Sequence, residues 1–465
     1  QDGGKTWTNT VANISGLPAN TWCYHIEAST FDKGTAYAVF DGHTMNDKNP
    51  YAYKTTDYGK TWTNISDGIP YGAYTRVVRE DTKRKDLLFA GTELGMYISW
   101  NGGKQWQSFQ LNLPITPITD LKVSHDDLCV ATMGRSFWVL DNLALIRQFE
   151  EHDKTVSLFI PEDAVIGNWS SQLNSNAVTF KGTHDSNGVN PANGVVFYYY
   201  LPTADKEKEL TLVIKDNDGQ VVRTLSSKSD SNFIRYPGGP SPEPLLSNNV
   251  GLNRFVWDMR YNTLPGIPKA YIEGSYKGHK AMPGNYTATF NQGDEKSEVS
   301  FNILTNPLYS ITSQEYLETH LFYNSVEQDI KDMHNRVNKL KKVQTQIVSI
   351  LKKLPKEKED SKLKSDGEAL VQKLKSWDED MVQRKSKAYD DVENFPNKFT
   401  AEYIFLINQN DSDMPVLSKA SRQRLEELNK KWEVLKAISE ELITKDIPAY
   451  NNLLWDNGIG ALTIY

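Results

Sequence analysis

Residues 55–66 read TTDYGKTWTNIS and residues 99–109 read SWNGGKQWQSF. Each places an acidic or amide side chain two positions before a glycine and five before a tryptophan: Asp57, Gly59 and Trp62, then Asn101, Gly103 and Trp106. The first nine residues, QDGGKTWTN, carry the same device at Asp2, Gly4 and Trp7, so it recurs at intervals of 55 and 44 residues. Recurrence every few tens of residues marks a repeat architecture in which each copy is one supersecondary unit. The residue types suit a turn: the Asp or Asn oxygen accepts hydrogen bonds from the turn backbone, the glycine takes a positive φ, and the tryptophan packs between neighbouring units.

A β-rich run precedes each turn, which predicts four-stranded antiparallel blades. The repeat extends past the last turn. LFAGTELGMYIS (88–99) aligns without gaps, 41 residues on, with CVATMGRSFWVL (129–140), pairing Leu88 with Cys129 and Tyr97 with Trp138; this last copy has no turn device at DNLAL.

These residues resemble the Asp-box (BNR) propellers, the superfamily of bacterial sialidases and sortilin-type receptors. The run VATMGRSFWVLDNL, with two further domains after it, looks like the large secreted bacterial proteins labelled glycosyl-hydrolase-like or sortilin-like. The resemblance implies an exported protein (extracellular, cell-surface or periplasmic) and peripheral turns that build the fold and catalyse nothing. Residues 1–148 then hold the last strand of one blade, two complete blades and a terminal blade, whereas a propeller closes with about four to eight. Further N-terminal blades, on the same polypeptide or on a cleaved chain, are therefore the first expected partner, and Gln1 is not expected to be a biological start.

The chain has 465 residues, a net charge of −7 and 38% hydrophobic residues. Its acidic balance argues against a nucleic-acid surface, which needs a basic field. No run of 18 apolar residues offers a membrane span. Cys23 and Cys129 read as two buried thiols, with pairing left open by their spacing.

After the propeller, residues 149–308 change pattern. GVVFYYYLP, ELTLVIKDNDGQVVRTLS with its Asp218-Gly219 turn, GLNRFVWDMRY and PGNYTATF read as strands of an immunoglobulin- or fibronectin-like sandwich, with Trp257 in its core. Two long insertions, YPGGPSPEPLLSNN and NTLPGIPKAYIEGSYKGHKAM, interrupt it. Loops of this length serve a function or pack on a neighbour; Tyr271, Tyr276 and His279 are placed there as ligand or interdomain contacts, with the propeller as the favoured neighbour.

From Thr312 the period changes again. A Thr312–Glu315 capping box opens a helix whose Tyr323, Val326, Ile330, Met333, Val337 and Leu340 step by three and four, interrupted at Gln344 and resumed at Ile347. Residues 309–465 thus read as an antiparallel, coiled-coil-like helical bundle with an apolar tail that docks back.

Chemistry is sparse. Arg76, Arg79, Glu80, Glu93 and Arg135 are the propeller's charged candidates, and alternation sets Arg76 and Glu80 on one strand face with Arg79 on the other. Arg135 matches the family pattern and is the candidate ligand contact on the central channel. The sequence contains no metal-ligand spacing of histidines, no nucleophile motif and no phosphate loop, so no catalytic residue, metal or cofactor is assigned. The leading expectation is a binding or scaffold protein engaging a protein, peptide or glycan. The alternatives are part of a sialidase-like glycoside hydrolase whose site lies on other blades, or a structural component of a surface complex.

Overall fold

A computed structural model describes residues 3–149, 155–167, 192–355, 361–412 and 414–463. The chain divides into two compact units, 1–151 and 152–465.

The first unit is built of three antiparallel sheets. Strands β1 (Trp22–Ala28), β2 (Ala36–Asp41), β3 (Tyr51–Thr55) and β4 (Thr63–Asn64) form the first, in sequence order. Strands β5 (Thr75–Glu80), β6 (Leu88–Thr92), β7 (Gly95–Ser99) and β8 (Gln107–Ser108) repeat that order in the second. The third has β9 (Ile118–Ser124), β10 (Asp127–Thr132) and β11 (Phe137–Leu140). Each strand neighbours its sequence neighbour, which is the up-and-down order of a propeller blade.

The middle sheet is covered on both faces. Val78, Leu88 and Ala90 pack on Tyr37, Val39 and Ala52 of the first sheet, while Val77, Phe89 and Ile98 pack on Ile118, Leu121 and Val130 of the third. A short helix, α1 (Ala144–Gln148), closes the unit. Its Arg147 donates through Nε and Nη2 to the fully buried Asp81 and through Nη1 to Asp126, tying the loops after β5 and β9.

The second unit has two cores. Around one lie a three-stranded and a five-stranded sheet: β12 (Ser157–Leu158), β14 (Val195–Leu201) and β17 (Gly251–Trp257) in the order β12-β14-β17, and β13 (Ala164–Val165), β15 (Leu210–Asp216), β16 (Val221–Ser226), β18 (Gly284–Gln292) and β19 (Glu295–Leu304) in the order β13-β19-β18-β15-β16. Alternate residues of both sheets, including Phe197, Tyr199, Leu212, Trp257, Phe290 and Phe301, fill the space between them. The burial follows the period of two that a pleated strand imposes.

The other core is helical, made by α2 (Ser313–Lys352), α3 (Lys362–Met381), α4 (Phe399–Asn410), α5 (Lys419–Glu441) and α6 (Ile447–Asp456). Thr312 and Glu315 exchange the two hydrogen bonds of a capping box at the start of α2. All six seam residues from Tyr323 to Leu340 are buried. At the flaw in the seam Val343 turns fully inward, and Gln344 accepts a hydrogen bond from Lys341. Ile438 on α5 is exposed. A π-helical turn, Leu442–Asp446, joins α5 to α6 just ahead of Pro448, whose missing N–H breaks the regular ladder. Leu462 in the tail is buried in the helical core.

Candidate functional site

The repeated turns come first. In the second, the Asp57 carboxylate accepts the Thr61 amide at 2.8 Å, and the Thr55 hydroxyl accepts the Gly59 amide at 2.9 Å. In the third, Asn101 accepts the Gln105 amide at 3.0 Å, and Ser99 accepts the Gly103 amide at 3.0 Å. Gly4, Gly59 and Gly103 share φ near +80° (81°, 81° and 87°), a region closed to most residues with a β-carbon. Asp2 lies outside the described residues.

The three tryptophans of these turns differ in a graded way. Trp106 is 3% exposed, packs against the first sheet and donates Nε1–H to the Ile65 carbonyl at 2.5 Å. Trp62 is half-buried against the small cluster of Ile14, Phe40 and Tyr53, and its indole N–H has no protein partner among the described residues. Trp7 is 89% exposed and its N–H reaches only its own turn, at Gly4. Trp106 has a whole sheet beneath it, Trp62 a single strap of chain, and Trp7 no neighbouring sheet.

The first strands of the three sheets lie side by side, β5 touching both β1 and β9. Arg79 on β5 joins them. Its guanidinium pairs with Glu27 on β1 at 2.6 Å and with Asp120 on β9 at 2.9 Å, and Nε donates to the Leu121 carbonyl at 2.5 Å. Burial, then the Arg79 charge, holds the neighbouring His25 below its usual pKa. Nearer the other end of β5, Arg76 pairs with Glu93 at 2.7 Å and lies over the rings of Tyr24 and Tyr74. Glu80 accepts the Tyr37 hydroxyl at 3.0 Å. A bulge between Thr75 and Val77 interrupts the simple alternation of this strand.

Arg135 sits in the exposed turn between β10 and β11. Its main chain is engaged, donating to Thr132 Oγ1 and accepting Trp138 Nε1–H, whereas its guanidinium has no partner among the described residues. The cysteines are free, and Cys23 is exposed on β1, in contrast to the buried thiol expected; Cys129 is half-buried.

In the second unit, the two insertions meet. A β-carbon on Gly238 of the first would lie 2.6 Å from the ring of Tyr271 in the second, so the close approach requires glycine. Tyr276 is buried in the helical core with Leu264, Ile267, Ala270 and Ile272. Between the insertions lies a cleft of about 280 Å³ lined by Arg223, Pro240, Pro242, Asp258, Tyr276 and Lys277. Arg223 donates to the Tyr261 carbonyl and to Glu243. Tyr276 and Tyr271 are therefore brought to one region, and Arg135 lies in the other unit.

Sequence reasoning missed the Arg79 ties. Their only trace is a pattern of opposite charges at the first strand of successive repeats, Glu27, Arg79 and Asp120. It also left unassigned His320 and His334 on α2, which lie opposite the second insertion.

No family model matches the chain, and no curated protein matches it. Among solved structures it is similar to a GH74 xyloglucanase from Xanthomonas campestris (14% identity over 62% of this chain and 49% of that one, TM-score 0.23). It is also similar to PorZ, a surface component of the type-IX secretion system of Porphyromonas gingivalis (11% identity, 61% of this chain and 30% of that one, TM-score 0.23). YCF48 from Cyanidioschyzon merolae is matched at 13% identity over 64% of this chain and 88% of that one, TM-score 0.21. The chain thus spans half or less of the xyloglucanase and of PorZ. No helix among the described residues is long and apolar enough to cross a membrane.

Proposed function

We propose that the chain is part of an exported, Asp-box-type propeller protein that binds or scaffolds a protein, peptide or glycan, and that its three blades complete a ring with further blades of the same kind. The two-sheet core is read as an immunoglobulin-like sandwich and the helices as an antiparallel bundle bracing it. The graded burial of Trp106, Trp62 and Trp7 carries this reading. A tryptophan that fastens its own sheet to the preceding one is satisfied only where a preceding sheet exists.

The outer sheet faces support the same reading. On β1, Ile26 is 63% exposed on the face it shares with Ala38, and on β11 Phe137 and Val139 are 84% and 55% exposed, while β5 between them buries Val77 and Val78 on opposite sides. Apolar faces of this kind are ordinarily covered. The engagement of Arg76 and Arg79 by Glu93, Glu27 and Asp120 supports a bracing role for these arginines over a substrate-gripping one.

The test is the chain content of the particle isolated from its native source, measured by native and denaturing mass side by side. The expected result is a particle in which this sequence is accompanied by additional sheets bearing the same turn device, on the same polypeptide or on a companion. A monomer consisting of this sequence alone would overturn the reading.

A further inference from the structure

The second insertion runs as a strap from the end of β17 to the start of β18, and it is fastened to the helices at three points. At its near end the Pro265 carbonyl accepts His334 Nδ1–H at 2.6 Å and the Gly266 carbonyl accepts Asn338 Nδ2–H at 3.1 Å. In its middle, Ser275 exchanges two hydrogen bonds with the Asn408 amide on α4. At its far end His279 meets Glu327 and His320 on α2.

The far end is a chain of hydrogen bonds with a defined direction. Asn324 Nδ2 donates to His320 Nε2 at 2.8 Å, so His320 carries its proton on Nδ1 and offers it to His279 Nε2 at 2.9 Å. His279 must then carry its own proton on Nδ1, which faces Glu327 Oε1 at 3.0 Å. Its ring lies stacked between Tyr261 and Tyr323, with centroids 4.3 and 5.3 Å away. His334 is fully buried, and its Nε2 has no protein partner among the described residues. Partners at one nitrogen fix the tautomer at the other; His320 and His334 are thereby both placed in the Nδ1–H form.

We propose that residues 262–282 form an acid-released strap, held closed while His320 and His334 of α2 are neutral and freed when both take up a proton. A proton added at His320 Nε2 is set against the Asn324 N–H that donates to that nitrogen, in a half-buried pocket. A proton on His334 places a charge in a dry core with no acceptor for its new N–H.

The groups facing these histidines are few. Around His320 stand Glu327 and Lys331 on α2, Asp216 at the end of β15, His279 of the strap and Tyr261 just ahead of it. Lys280 and Asp411, the latter paired with Arg260, line the cavity on the other side. His334 faces the Pro265 carbonyl and, 6.2 Å away, the Tyr276 ring. Burial, assisted at His320 by His279, lowers both His320 and His334 to about 4. A histidine depressed in the closed state favours closure fully above its free value near 6.5, and this preference is lost as pH falls from there toward 4.

The test uses the whole chain. Histidine ¹⁵N spectra at pH 7 should show His320 and His334 as Nδ1–H tautomers that stay unprotonated to about pH 5. Hydrogen exchange, corrected for intrinsic rates, should show strap amides losing at least about ten-fold protection between pH 7 and 4.5 while the strands of the two-sheet core keep theirs. The variant His320→Gln/His334→Gln, whose amides can still donate but do not titrate, should hold its strap protection constant over that range. Equal loss in that variant, or none in the native chain, overturns the proposal. If the variant fails to fold, either histidine in the Nε2–H form or titrating near 6.5 in the native chain does the same.

Discussion

Arg79 shows how much a single residue does in the first unit. Its guanidinium is shared by three strands from three sheets, with Glu27 and Asp120 as its counter-charges. Removing Arg79 leaves the partly buried Glu27 unpaired, whereas Asp120 is 59% exposed and stays solvated, which puts the cost at about 1–2 kcal/mol. Arg79→Ala should lower the urea midpoint of the first unit by a corresponding amount, while Arg135→Ala, at an exposed turn, should change it by less than about 0.5 kcal/mol. The turn glycines make a second case. Gly103→Ala must hold a β-carbon at φ 87° and 2.7 Å from Ile65, whereas at Gly4 the nearest atom is the ring of its own Trp7 at 3.5 Å. Thermal melting should show the first substitution as the more damaging, by about 1–3 kcal/mol. The turn residues were legible in the sequence because their hydrogen bonds are local. The Arg79 network was not, because its partners lie 52 and 41 positions away, on neighbouring repeats.

The elements repeat, and their surroundings do not. The hairpin β6–β7 and the hairpin β10–β11 come from aligned sequences, but Met96 and Ile98 are buried between sheets while their counterparts Phe137 and Val139 face outward. Local sequence therefore sets the hairpin, and the neighbouring sheet sets its burial. Trp106→Phe should destabilise the chain by about 1–3 kcal/mol through the lost indole hydrogen bond and packing. Trp7→Phe should be neutral within about 0.5 kcal/mol in this chain. Equal effects at both positions would contradict the role given to these side chains as fasteners between sheets. In the helices the capping box and the seam were readable from periodicity. The burial of the 262–282 insertion in the helical core was not, since Leu264, Ile267, Ile272 and Tyr276 follow no strand or helix period.

At the scale of the whole molecule, two consequences follow from surfaces rather than motifs. The second unit holds two histidines lowered by burial, so its stability should be fully present above pH 6.5 and should decline as pH falls toward 4, because the unfolded chain then binds more protons than the folded one. Its melting temperature followed from pH 7 to 4 checks this, and a flat profile would contradict it. The first unit presents uncovered apolar faces on both of its outer sheets, with Cys23 on one of them. The most direct measurement is the rate at which a maleimide labels Cys23 in this chain alone and in the folded protein isolated from its native source, both at pH 8, burial raising the thiol pKa in the isolated chain. Rapid labelling of the isolated chain and protection in the native particle are expected if a further sheet covers β1. Equal rapid labelling in both would show that face to be open to solvent, and the proposed continuation of the blades would be wrong.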